Sequence, residues 1–115
     1  MYQDDPDRAA YLIYRGSALA GFALIRGLSG EPRVIGEFFL VRAARRHGVG
    51  HHAALELLGL YPGRWEIAFQ EENPAAARFW RAVAIAAVGD AWAEELRPIP
   101  NKPESTPDVW LLLGT

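Results

Sequence analysis

Between Glu37 and Glu56 the chain carries no acid, and Arg42, Arg45, Arg46, His47, His51 and His52 all fall in that gap. An apolar segment precedes the basic run, Gly48 and Gly50 interrupt it, and an apolar periodic stretch follows. A strand, a basic glycine turn and a helix start make a geometry that holds anions. Glycine lets backbone N–H groups turn toward a ligand. The first helical turn leaves its own N–H groups unpaired, and the helix dipole adds about half a positive charge at that end. A pyrophosphate suits such a site. Arg45 and Arg46 could instead belong to a solvated face, although the acid-free window argues for an anion.

Gly48-Val49-Gly50-His51-His52-Ala53 formally fits the dinucleotide pattern G-x-G-x-x-A, with Glu71 after a strand about 20 residues on. Against it, six residues separate the strand end from the first glycine, where the dinucleotide turn needs almost none. A Walker loop fails because no Gly-Lys-Ser/Thr is present. The three histidines invite a metal, but the loop lies before a helix N-terminus, which repels cations, and no nearby carboxylate completes a site. No metal site is expected. Glu37 lies among apolar strand residues, and a carboxylate buried there could serve as general base for an ammonium substrate, directly or through water. An ion pair with Arg42 or Arg26 is the alternative.

The elements that must position these residues read as β-β-β-α-β-α. Ala10 to Tyr14 and Leu19 to Arg26 are apolar and joined by Arg15-Gly16-Ser17, a hairpin. In Val34 to Val41 the two-residue period puts Ile35, Glu37, Phe39 and Val41 on one face and Val34, Phe38 and Leu40 on the other, a strand expected to be buried on both. Val49 to Tyr61 repeats its apolar residues at three and four, a helix stopped by Pro62-Gly63. Arg64 to Gln70 alternates as a strand, and Asn73-Pro74 opens a second helix through about Val88, with Asn at N-cap and Pro at N1. Ala91 to Leu96 and Val109 to Leu113 read as short strands around a loop with four prolines.

At 115 residues, 50% hydrophobic and 23% charged, the chain is sized for one domain. It has no cysteine, which removes disulfides, thiolate metal sites and a cysteine nucleophile and points to the cytoplasm. No apolar run approaches the roughly 20 residues that span a bilayer. A net charge of −2 gives no reason to seek nucleic acid or an anionic membrane.

Arg45-x-x-Gly48-x-Gly50 behind an apolar strand resembles the acyl-CoA signature of the GNAT superfamily, the CoA-dependent N-acyltransferases. A second motif of that family resembles Asn73, Ala76, Phe79 and Trp80, after a strand and at a helix start. The resemblance covers about Ala10 to Val88. It implies an α/β (α+β) fold, a mixed, largely antiparallel central sheet with two CoA-side helices. Residues 1–115 would form one acyl-CoA-binding domain without the usual N-terminal strand and helices.

The resemblance also implies roles. Backbone at Leu40 and Val41 would pair with pantetheine, with Arg42 just beyond. Arg45 belongs to the signature, and amides of Arg46, His47, Gly48, Val49, Gly50 and His51 would hold the pyrophosphate. Asn73 would touch the pantetheine arm or position the adjacent strand, and Phe79 would line the thiol end. The implied reaction is direct attack of an amine, of a small molecule or a protein, on acetyl-CoA, with no metal; position, three residues before Leu40 on the strand leading to the loop, makes Glu37 the expected base. Trp80 stands where a tyrosine commonly protonates the leaving thiolate, and an indole is no acid at neutral pH. The alternative is a non-catalytic acyl-CoA-binding or interaction module. A homodimer is expected to cover the open hairpin.

Overall fold

The computed structural model describes residues 5–45 and 48–114. Six strands form one sheet: β1 (Arg8–Arg15), β2 (Ala18–Arg26), β3 (Arg33–Leu40), β4 (Trp65–Gln70), β5 (Trp92–Arg97) and β6 (Asp108–Leu113), in the order β1-β2-β3-β4-β6-β5. Helix α1 (Val49–Leu60) connects β3 to β4, and α2 (Pro74–Val88) follows β4. Every neighbouring pair is antiparallel except β3 and β4, which are parallel and therefore need the α1 crossover between them. This is the mixed, largely antiparallel sheet with two helices that the resemblance implies.

Both helices pack on the same face. Ala54 and Leu58 of α1 and Ala77, Trp80, Val83 and Ala84 of α2 share one core with Ile25, Ile35, Trp65, Ile67, Phe69, Val109, Leu111 and Leu113. The alternation expected of Arg64 to Gln70 produces this: Trp65, Ile67 and Phe69 are buried beneath the helices, while Glu66 and Ala68 face the other way. A smaller cluster, Ile13, Ala20 and Ala44, lies under Leu40, Val49 and Ala53. Among the described residues no helix is long and apolar enough to cross a membrane.

Strand β3 departs from its expected faces. Ile35 pairs with Ile25 but Glu37 pairs with Leu24, so Gly36 is an extra residue, a β-bulge. One inserted residue reverses the side-chain parity beyond it. Glu37 and Phe39 consequently share the helix-free face with Val34, and Phe38 and Leu40 join Ile35 on the helix side. The strand is also not buried on both faces: Val34 and Ile35 are buried, whereas Gly36, Glu37 and Phe39 are exposed. The reason lies in the neighbour. β3 and β4 are in register only at Arg33–Trp65, Val34–Glu66 and Ile35–Ile67, after which the two strands run on without pairing.

The closed end of that pair is tied by polar contacts. Arg33 N–H donates to Arg64 O at 2.9 Å, and Arg33 Nη1 donates to Pro62 O at 2.7 Å. Glu31 Oε2 accepts from the Arg64 N–H at 2.7 Å, which chiefly holds its carboxyl below the usual range. Tyr11 and Tyr61 share a hydroxyl hydrogen bond, and Trp65 Nε1 donates to Tyr61 O at 2.9 Å.

Candidate functional site

Where β3 and β4 part, they leave a cleft of about 250 Å³. Gly36, Glu37 and Phe38 wall it on one side, Ala68, Phe69 and Gln70 on the other, and Asn73, Ala76 and Trp80 of α2 close it from the helix side. The bulge at Gly36 decides what each side chain does here. It sends Phe38 against Phe79 and Trp80, with ring centroids 5.8 and 5.2 Å apart, and turns Glu37 to the helix-free face. Glu37 is therefore exposed, and among the described residues it forms no ion pair with Arg42, Arg26 or any other cation. The burial expected of it is corrected, and so is the alternative pairing; it remains a carboxylate on a cleft wall.

The two helix N-termini differ. Asn73 caps α2 as its position predicts, Oδ1 accepting from Ala76 N–H at 3.1 Å with Pro74 following. Helix α1 has no side-chain cap and no acid in its first turn. Its N-cap is Gly48 at φ +74°, a left-handed conformation that side-chain-bearing residues avoid. The first intrahelical bond is His52 N–H to Gly48 O, so the amides of Val49, Gly50 and His51 have no intrahelical acceptor.

Gly50 serves a different purpose. It is buried, and a Cβ there would meet Leu40 Cδ1 at 2.6 Å and Phe79 Cε1 at 3.2 Å. Its lack of a side chain lets the start of α1 settle against the end of β3 and against α2. Phe79 is half-buried and packs edge-on to Trp80 at 4.8 Å.

At the end of β3, Arg45 Nε donates to Leu40 O at 3.1 Å and its guanidinium lies 5.9 Å from the Phe39 ring centre. Val41 N–H donates to Ala20 O at 2.7 Å. Of the backbone groups at Leu40 and Val41, Leu40 O and Val41 N–H are thus engaged by Arg45 and β2. Arg42 is exposed in a single 3-10 turn, Arg42–Ala44, and forms no ion pair among the described residues. Arg46 and His47 lie outside the described residues. His51 is half-buried in the first turn of α1. His52 Nε2 sits 3.0 Å from Glu56, a carboxylate one turn along. Among the described residues no three His, Cys, Asp or Glu side chains converge on one point.

A larger hollow, about 400 Å³, separates β1 from α1 and is lined by Tyr14, Gly48, His52, Leu57 and Leu60 among others. It lies at the outer edge of the sheet. The cleft between β3 and β4 brings together a carboxylate, an indole and an amide, and it is the better candidate for chemistry. Sequence reasoning missed Gln70 and Ala68 as lining residues and the bulge that aims Glu37; a glycine inside an apolar strand was the available signal.

No family model matches the chain, and no curated protein matches it in sequence. Solved structures do. An acetyltransferase from Thermus thermophilus superposes with a TM-score of 0.69 at 17% identity, over 96% of this chain and 66% of that one. An acetyltransferase from Bacillus subtilis, crystallised with CoA, gives 0.68 at 13% identity, over 95% and 78%. A structure from Bacteroides thetaiotaomicron described as of the GNAT family gives 0.67 at 12% identity, over 99% and 66%. The chain thus spans about two thirds of the length of the Thermus and Bacteroides chains. Across nearly its whole length, this chain has the fold of the GNAT acetyltransferases.

Proposed function

We propose that the protein is an N-acetyltransferase that moves an acetyl group from acetyl-CoA to an amine of a small molecule or a protein by direct attack. One observation carries the reading: strands β3 and β4 part into a cleft with Glu37 on its wall, and β3 leads into the uncapped, acid-free N-terminus of α1. That turn supplies backbone N–H donors for a pyrophosphate at Gly48 to His51, with Arg42 and Arg45 just before it in the chain. The pantetheine arm runs from there past Leu40, Val41 and Asn73 toward Phe79 and the cleft. Acetyl-CoA brings the activated thioester. Glu37 takes the proton from the amine as it attacks, from the helix-free side. A carboxylate on this wall can attract an ammonium substrate and accept its proton.

A second reading, a non-catalytic acyl-CoA-binding module, is favoured by Trp80 at the back of the cleft, where no proton donor of useful acidity stands. Thiol release from acetyl-CoA with a panel of amines, run beside calorimetric titration with CoA, separates the two. Binding with release supports the enzyme; binding without release for any amine supports the module; absence of binding defeats both.

The reading includes a single domain over residues 1–115, a cytoplasmic location and a homodimer. The dimer is motivated by the helix-free face, where Leu12 is 63% and Phe39 45% exposed. A strictly monomeric species in light scattering at high micromolar concentration would sink it.

A further inference from the structure

The sheet has two edges, β1 and β5, and they are finished differently. A strand at an edge presents backbone N–H and C=O groups that no neighbouring strand pairs, and folded proteins commonly guard such an edge with charge. β5 is guarded. Its Glu94 is held by Arg81 at 2.8 Å, and its Arg97 bonds Glu95 on the same strand at 3.1 Å and Glu66 at 2.8 Å. β1 is not. Ala9 to Tyr14 is an uncharged apolar run in which Leu12 and Tyr14 are exposed. The hollow of about 400 Å³ between β1 and α1 opens beside it, lined by Ile13, Val49, Ala53 and Leu57 and by the exposed Leu60.

We propose that β1 pairs antiparallel with β1 of a second copy about a two-fold axis at Leu12, joining two sheets into one. The inference rests on the homodimer reading and places its seam at this sheet edge rather than on the helix-free face. Side-chain parity supports a second copy as the occupant. Residues directly opposed across an antiparallel pair share a face. In β1 the even positions Arg8, Ala10, Leu12 and Tyr14 are exposed, whereas Tyr11 and Ile13 turn to the core. The axis stands perpendicular to the sheet and keeps both helix layers on one side, so even positions oppose even and odd oppose odd. Arg8 and Arg15 differ in parity, and no such register sets these like charges opposite one another. With the axis at Leu12, Ala10 meets the partner's Tyr14, small against large, and Tyr11 meets the partner's Ile13. Antiparallel order also brings the partner's Arg15 beside the start of β1, where Asp5 and Asp7 stand. Arg15 is exposed and forms no ion pair among the described residues. A two-fold contact closes on itself, so the unguarded edge is used up in a dimer and does not propagate.

The test uses the full chain, which has no cysteine, so that one introduced thiol per copy reports one position. Opposed residues in an antiparallel pair have Cα atoms about 4.5–5.5 Å apart, inside the range that a disulfide spans. Under mild oxidation Leu12→Cys should pass almost wholly into a covalent dimer. Leu96→Cys on β5 and Phe39→Cys on the helix-free face should crosslink at least about 10-fold more slowly, since neither position meets its own copy. Light scattering at high micromolar concentration should show a dimer for the unaltered chain and a monomer for Leu12→Lys, which sets two like charges together at the axis. If Leu12→Lys does not fold, the crosslinking series decides alone. A dimer that crosslinks as readily through Phe39→Cys or Leu96→Cys as through Leu12→Cys overturns the inference and leaves the homodimer reading standing. A folded Leu12→Lys variant that stays dimeric does the same. A strictly monomeric chain, or assemblies larger than a dimer, overturn both.

Discussion

Strands β3 and β4 meet as two unlike halves. At Arg33 to Ile35 they are paired with Trp65 to Ile67, with Val34, Ile35, Trp65 and Ile67 buried, and are tied by Arg33, Glu31 and Tyr61. From Gly36 and Ala68 onward they face each other across open space. The same two strands thus give a rigid hinge-like base and a functional opening, and the base is what permits the opening. An unpaired strand edge inside a sheet would not persist unless the surrounding core fixed its position.

The largest expected effect lies in the base. Ile67 is 1% exposed at the last paired position, and Ile67→Ala should lower unfolding stability by about 2–5 kcal/mol in urea titration. A loss below about 1 kcal/mol would mean that the two halves are not mechanically distinct. The opening should respond in rate. Glu37→Gln should lower turnover about 10²-fold below pH 7, about 2.7 kcal/mol of barrier, while changing stability by less than about 0.5 kcal/mol because the side chain is exposed. Wild-type turnover in that variant would make Glu37 a bystander.

Between the halves in size stands Asn73, which belongs to the opening but works structurally. Removing its cap in Asn73→Ala should cost about 1 kcal/mol, measurable by thermal or urea unfolding. If the same variant also weakens CoA binding, the cap and the ligand contact coincide in one side chain.

The smallest effect is invisible at neutral pH and returns to the base. The hydrogen bond to Tyr61, with some burial, pushes the Tyr11 phenol up to about 12 from the usual 10.0. The folded chain therefore holds this proton at pH values where the unfolded chain releases it. Its stabilisation is complete below about pH 10 and is lost as pH rises through about 12. Unfolding stability followed across that window should fall in the wild type and fall less steeply in Tyr61→Phe.

Periodicity made the strands and helices legible, because Trp65, Ile67 and Phe69, or Ala54, Leu57 and Leu58, reveal their faces by spacing alone. Asn73-Pro74 declared the start of α2, since both act within one turn. Gly48 and Gly50 marked the turn before α1, yet spacing could not tell their purposes apart. One is set by a backbone angle, the other by Leu40 and Phe79, which arrive from distant parts of the chain.

The sequence by itself determined the order of elements, the basic turn and the acid on β3, since each depends on residues near one another along the chain. Only the tertiary structure decided that β3 and β4 separate after Ile35 and Ile67, and that Gly36 bulges. Only it set Glu37 and Trp80 on opposite walls of one cleft. The physical reason is that strand register and side-chain parity belong to pairs of strands. A single inserted residue reverses every face beyond it, and nothing within Val34 to Val41 alone records which partner residue it will oppose.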